Sequence, residues 1–379
     1  MGLLRQASLL VWSPCRLCSS LPPSRVLSPA QVTRLEQAAL LPPAALSLQD
    51  LLASSSQAPS LYSLVRRELP TRLARLAAAL PLALPAPVLS LRLAHFLQDY
   101  TEISWREVEA FPLQLQAGQE KAWGEAMARV GVRLGGTTEM VAEAVLASGV
   151  LHHPAMAEQL QHHLPLLLRR NLSCDLLVSL ARSSGGRQPS VLQPRHDLLE
   201  DVTAAYQDAR YLCEQHLLAC PDLALLPTAA TTTFPSLPNH NYLILFEIFK
   251  NSLRATVEHH QEGEALPPVE LEVREEGDSL VLELRDRGGG LPQHLLDSSP
   301  RFFSSSAELG DMSLYQGARS SPLAGHGFGL GLARLYCSYW GGGLEVEGLM
   351  PEGWQGEGTT VRMVWCKDPQ VATENLEEG

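Results

Sequence analysis

Residues 239–260 read NHNYLILFEIFKNSLRATVEHH, and the placing of their polar side chains constrains the fold more than any other stretch of this 379-residue chain. Glu247, Lys250, Asn251, Arg254 and Glu258 fall at i, i+3, i+4, i+7 and i+11, which is one stripe of an α-helix. The rest of the circumference is mostly leucine, isoleucine and phenylalanine and belongs in a core. A solvated helix face would be wider and more densely charged than this thin stripe. An asparagine one turn from a glutamate, between apolar flanks, suits a magnesium site, where few oxygen ligands come from protein and phosphates and water supply the remainder.

Two glycine-rich stretches follow. In DRGGGLPQHLL, Asp286 ends a strand-like run and Gly288 to Gly290 come after it. Glycines allow backbone paths closed to other residues and let a flat ligand approach the chain, where a carboxylate can accept from an exocyclic amine. A lone DxGxG also describes many surface turns, so by itself it leaves both readings open. In AGHGFGLGLARLYCSYWGGG, Gly327, Gly329 and Gly331 form GxGxG just before an expected helix. Backbone N–H groups at a helix start favour anions, and phosphates are the natural guest. A dinucleotide-binding GxGxxG would follow the first strand of a βαβ unit, and this motif comes late, after a Ser-rich loop. No GK[ST] follows for a Walker loop, and no VAIK or HRD for a eukaryotic-type protein kinase.

The chain divides by character. From about Leu61 to Leu223 it reads helical, with Pro70 and Pro81 as punctuation, and several amphipathic segments with short breaks indicate a bundle. DLLEDVTAAYQDARYLCEQHLLAC, with Val202, Ala205, Ala209 and Leu212 on one stripe, is counted in that bundle, and SSGGRQPSVLQPRH is read as a loop inside it. PDLALLPTAATTTFPSLPNH reads as a linker. Beyond it, PVELEVRE and SLVLELRD alternate apolar and polar residues around an EGD turn, a hairpin pattern. LEVEGLM and TTVRMVW are two further strands, with a helix expected between Gly331 and Trp340. This is an α+β domain.

The net charge of −12 argues against a phosphate-directed grip on nucleic acid. No uncharged apolar stretch of 18 residues is present for a membrane span. Cys15 and Cys18 form a CxxC with no second pair at metal spacing, so neither zinc nor a disulfide framework has support. The first 35 residues carry Arg5, Arg16, Arg25 and Arg34 with no acid and much serine and leucine, which is transit-peptide composition; a disordered basic tail is the other reading.

Taken together, Glu247 and Asn251 as E-x-x-x-N, Asp286, Gly288 and Gly290 as DxGxG, Gly327 to Leu332 as GxGxGL, and Gly358-Thr359 resemble the ATP-binding fold of sensor histidine kinases, heat-shock chaperone ATPases and mismatch-repair ATPases. FEIFKNSLRATVE, DRGGGLP, GHGFGLGLARLYCSYWGG, LVRRELPTRLARL, LLLRRNLSCDLLVSLAR and AYQDARYLCEQHLLACPDL are similar to the mitochondrial kinases of α-ketoacid dehydrogenase complexes, over about residues 55–365. The resemblance implies an N-terminal four-helix bundle, within 50–225, for regulation and docking. It implies a histidine-kinase-like ATP-binding α/β sandwich at 230–367, after a transit peptide at 1–35 and before a disordered tail at 368–379. It implies ATP and Mg²⁺, a dehydrogenase α-subunit as substrate, the lipoyl domain of the acyltransferase core as dock, a homodimer, and the mitochondrial matrix. Glu247 would take the serine proton, Asn251 would hold Mg²⁺, and Lys250 and Arg254 would steady phosphates or the helix. Asp286 would read the adenine amino group beside Gly288 and Gly290. Gly327, Phe328, Gly329, Leu330, Gly331, Leu332 and Thr359 would complete the nucleotide site, with Ser305 and Ser306 in a lid over Gln293 to Gly325.

The departures are Leu243, where pyruvate dehydrogenase kinases have a histidine, Ala333 in place of a proline, and a tail, WCKDPQVATENLEEG, without the Asp-Trp pair that some of them use to lock a dimer. The branched-chain enzyme also lacks that histidine, so its loss is compatible with activity. Two other readings are an ATP-binding regulator without transfer, and a histidine kinase using His152, His153, His162 or His163 as phosphoacceptor.

Overall fold

A computed structural model of the chain describes residues 27–89, 92–183, 190–261, 265–291, 302–303, 327–348 and 358–376. A helical bundle comes first. Its long members are α3 (Ala58–Ala83), α5 (Arg92–Glu109), α6 (Glu120–Leu134) and α8 (Pro154–Ser183), with α1 (Pro29–Ala39), α2 (Leu48–Ser55), α4 (Ala86–Leu89) and α7 (Thr137–Ser148) around them. Helix α3 packs on α8 and α5, and α6 on α5 and α8, which closes a ring of four. The central member is α8, and Leu160, Leu164, Leu167, Leu172, Leu176 and Leu180 are all buried along it. Helix α3 runs unbroken through Pro70 and Pro81, against expectation. Each proline costs the helix about 3 kcal/mol. The fully buried Leu69, just before Pro70, and Leu73 and Leu76 after it lock the segment by packing, and that outweighs local propensity.

The second part is a five-stranded sheet covered by helices. Strand β1 (Gln193–Asp197) leads into α9 (Leu198–Leu217), followed by β2 (Leu223–Leu225), β3 (Thr233–Ser236), α10 (Pro238–His259), β4 (Val269–Glu276), β5 (Ser279–Asp286), α11 (Gly329–Tyr339), β6 (Gly343–Glu347) and β7 (Thr359–Cys366). The sheet order is β2-β4-β5-β7-β6, antiparallel except for β2 beside β4. The expected hairpin is β4–β5, with Glu276 opposite Ser279 across Gly277-Asp278. Val269, Leu271 and Val273 on one strand, and Leu280, Leu282 and Leu284 on the other, are buried as the alternation requires.

Three segments sit elsewhere than the sequence pattern placed them. Helix α9 packs on α10 rather than in the bundle, and its stripe of Val202, Ala205 and Ala209 ends on Cys213 in the core of the sheet domain. The expected linker supplies β2 to the five-stranded sheet and β3 to a two-stranded sheet with β1, which the expected loop provides. Residues 371–376, expected in a disordered tail, include the buried Ala372 and Glu374. Glu374 is buried and accepts from both terminal guanidinium nitrogens of Arg72, at 2.8 and 2.7 Å, and from the Tyr339 hydroxyl at 2.7 Å. Its backbone N–H reaches Leu46, and Arg169 of α8 donates to the Asn375 carbonyl at 3.0 Å. At the other end, α1 packs on α3 with Leu35 buried, so a boundary at residue 35 falls within a packed helix.

Helix α11 lies between the two parts. Leu332, Leu335 and Tyr339 join the core of the bundle, while Ala333 and Cys337 join the core under the sheet. No helix among the described residues is long and apolar enough to cross a membrane.

Candidate active site

Helix α10 carries the polar stripe as expected. Ile244, Leu245, Ile248, Phe249 and Leu253 are buried, and Glu247, Lys250, Asn251 and Arg254 lie partly exposed on the remaining face. Lys250 Nζ donates to Glu247 Oε2 at 2.6 Å, and both side chains are close to nine-tenths buried. Arg254 pairs with Glu258 at 3.6 Å, one turn on. The Glu247 carboxylate rests against the backbone of Gly329 at the start of α11. A Cβ at Gly329 would stand 1.8 Å from Glu247 Oε2, so no other residue leaves that carboxylate in place.

Further along α10, the glycine turn leans on the helix. A Cβ at Gly288 would meet that of Ala255 at 2.5 Å. Gly289 has φ +80°, which L side chains rarely adopt, and its missing Cβ would lie 2.5 Å from His259 Nδ1. Asp286 is buried, and its Oδ1 accepts from the N–H groups of Gly288 at 3.0 Å and Thr359 at 3.3 Å. Burial pushes its carboxyl above the usual carboxylate range, and the bonds from Gly288, the Ser252 hydroxyl and Thr359 offset part of that rise. With one oxygen committed to two backbone donors, the carboxylate has capacity left for a ligand's amine. Thr359 is placed here by β7 pairing, as it stands opposite Asp286 in the ladder.

Gly327, Phe328, Gly329, Leu330, Gly331 and Leu332 make the entry and first turn of α11. Phe328 is fully buried, Leu332 faces the bundle, and the Gly331 backbone meets the Phe302 ring, so these three contribute packing. Ser305 and Ser306 lie outside the described residues, as does the expected lid apart from Phe302 and Phe303. Phe302 exchanges backbone hydrogen bonds with the Gln161 side chain of α8, which ties that residue to the bundle. The sequence reading missed Ser252, Ala255 and His259 as parts of the turn's support; Ala255 and His259 stand at i+4 and i+8 from Asn251, which was the available signal, and Ser252 has no such offset. His240, three residues before Leu243, is half-buried edge-on against Tyr336 at 4.8 Å, and desolvation pushes its pKa down to about 4, so its imidazole is neutral. Leu243 stands one turn before Glu247, partly buried against the bundle.

One helix thus carries a carboxylate and an amide along a face that begins at a glycine turn with a buried aspartate and ends at a helix N-terminus. Residues 238–369 match the family described as histidine kinase-, DNA gyrase B-, and HSP90-like ATPase. They have the fold of a histidine-kinase-like ATP-binding domain. The chain is also similar to [pyruvate dehydrogenase (acetyl-transferring)] kinase isozyme 4, mitochondrial, of Homo sapiens, at 31% identity over 225 residues, or 54% of each protein. Against the isozyme 4 of Rattus norvegicus it is 28% identical over 80% of this chain and 77% of that one. Against isozyme 1 of Homo sapiens it is 28% identical over 83% and 74%. The chain spans about half the length of the first of these relatives in its match. The ATPase domain's architecture fits a purine nucleotide: Gly288 and Gly289 leave no side chain over the turn, and Asp286 lies buried beside them. Asn251, one turn from Glu247, fits an oxygen ligand for Mg²⁺.

Proposed function

We propose that this chain is a mitochondrial ATP-dependent protein-serine kinase that phosphorylates the α-subunit of an α-ketoacid dehydrogenase complex and so switches it off. The pyruvate complex is favoured slightly over the branched-chain one, in keeping with the relatives' names. The observation that carries the reading is the confinement of Glu247 between Lys250 and the Gly329 backbone, on the helix that also supports the glycine turn.

ATP with Mg²⁺ would supply the phosphoryl group and neutralise the charge developing in its transfer. Asp286 binds the adenine amino group, with Gly288 and Gly289 clearing the approach. Asn251 holds the metal, and the N–H groups at the start of α11 favour phosphate oxygens. Lys250 orients the Glu247 carboxylate, which accepts the serine proton as general base. Docking falls to the bundle, for which the lipoyl domain of the acyltransferase core is the expected partner, and the working unit is a homodimer in the matrix.

The test is side-by-side phosphorylation of purified pyruvate and branched-chain dehydrogenase components with radiolabelled ATP and Mg²⁺. Label on a serine of one α-subunit, lost in Glu247→Ala with ATP binding retained, supports the kinase. Bound ATP without label on either supports a non-catalytic regulator instead.

A further inference from the structure

Beyond Glu247, between the bundle and the ATPase domain, lies a cavity of about 160 Å³. Helices α6, α7 and α8 wall one side and α10 and α11 the other. Leu134, Leu168, Leu172, Leu243 and Leu332 give it an apolar sleeve, into which Glu139, Asp175 and Glu247 bring three carboxylates. No lysine or arginine is among its described lining residues. Two buried oxygens on this lining have no hydrogen-bond partner, Glu139 Oε2 and Asn171 Oδ1, and Asn171 is only 6% exposed. Burial raises both Glu139 and Asp175 above the usual carboxylate range, with Arg182 offsetting part of the rise at Asp175. Glu247 is already paired with Lys250, so the oxygens left without donors are Glu139 Oε2 and Asn171 Oδ1, and beside the half-buried Asp175 they make a lining that favours a cationic guest.

The position along α10 says which cation. The glycine turn leans on Ala255, and Glu247 is eight residues earlier, about 12 Å away at the helical rise. A nucleotide read at the turn, with its phosphates beside Asn251, extends towards Glu247. The hydroxyl that meets Glu247 then comes from the far side, where Leu243 and the cavity lie.

Resting on the kinase reading, we propose that this cavity receives a basic side chain, lysine or arginine, close in sequence to the target serine of the protein substrate. An apolar stem against the leucines and a charged head among Glu139, Asp175 and Asn171 match such a side chain, and arginine's fork of donors can serve several of these oxygens at once.

Two measurements test this on the full chain. The first titrates n-butylguanidinium, with neutral n-butylurea as comparison, into wild type and the Glu139→Gln, Asp175→Asn double variant. The guanidinium is expected to bind, the urea not, and the variant to bind it about tenfold or more weakly, with nucleotide affinity unchanged. The second compares serine peptides carrying Arg, Ala or Glu at each flanking position. Arginine at one position is expected to lower KM about tenfold without changing kcat, a preference that the variant loses. Equal guanidinium binding by variant and wild type, or a peptide preference that survives in the variant, would overturn the proposal. Bound guanidinium with no label on any peptide or dehydrogenase would overturn the kinase reading and the substrate role with it, leaving a site for a free organic cation. Both substitutions keep side-chain shape, and unchanged nucleotide affinity in the double variant checks that its fold is intact.

Discussion

Replacing Gly329 with alanine tests whether the Glu247 carboxylate must stand where it does. The new Cβ would lie 1.8 Å from Oε2 and 2.6 Å from Cδ of Glu247. A comfortable non-bonded separation is about 3.5 Å, so the carboxylate must withdraw by roughly 1.5–2 Å. The obstructed atoms are the far end of a rotatable side chain, so it swings away and leaves the Lys250 pair while the helices hold their places. A displacement of about 1 Å in a reacting group costs on the order of 100-fold, so kcat should fall by about that factor or more. Stability should change by only about 1 kcal/mol. The assay is initial-rate phosphorylation of the dehydrogenase component, with nucleotide affinity from a fluorescent ATP analogue and unfolding by urea alongside. A double-mutant cycle isolates the cause: in a Glu247→Ala background, Gly329→Ala should have no further effect on kcat. Full activity in Gly329→Ala, or an equal loss in both backgrounds, would refute the argument and point to a direct role of the Gly329 backbone in holding phosphate.

Glu374→Gln leaves Arg72 buried opposite a neutral partner, and urea denaturation should show a loss of about 3–5 kcal/mol; a loss under 1 kcal/mol would mean that the pair is replaced by water. Gly289→Ala meets both a φ of +80° and the His259 ring, so it should weaken nucleotide binding and cost about 1–3 kcal/mol, partly relieved by His259→Ala. Asp286→Asn keeps an oxygen towards Gly288 and Thr359 and turns an amide donor towards the adenine amine, which should cut nucleotide affinity about 10- to 100-fold in a binding titration. Its stability effect depends on pH. The folded carboxyl titrates above its unfolded value, so the folded state holds the proton longer, and the native chain loses stability as pH rises from the unfolded pKa through the folded one. Unfolding curves should therefore show the Asn variant gaining on wild type across that window and holding the gain at neutral pH; a constant difference would sink the assignment.

The site was legible where chemistry and periodicity coincide. Glu247 and Asn251 declare themselves because two polar residues four apart interrupt an apolar helix, and Asp286 because glycines follow a strand of strict alternation. The hairpin register followed from that same alternation. What stayed hidden depended on partners remote in sequence. An amphipathic helix such as α9 has one buried stripe and no sign of which core will bury it. β2 is three residues long and gains its place by pairing with Val269 to Leu271, not by its own pattern. The tail VATEN looked polar and loose because Glu374 is a surface residue everywhere except opposite a buried arginine. Proline 70 and 81 misled for the related reason that local propensity is small beside the packing of α3 against two neighbours.

The clamp between Arg72 and Glu374 also bears on how the chain is made. The partners are 302 residues apart, and within the bundle Arg72 meets two backbone carbonyls, Ser173 of α8 and Ala44 between α1 and α2. At a synthesis rate of about 5–20 residues per second, Arg72 waits roughly 15–60 s for its counter-ion. During that interval the first half of the protein holds a charge that it cannot finish burying, so its helices can assemble early and still stay loose. A chain without Glu374 in place keeps an open seam beneath α3, a buried guanidinium without its carboxylate, which chaperones and proteases can recognise.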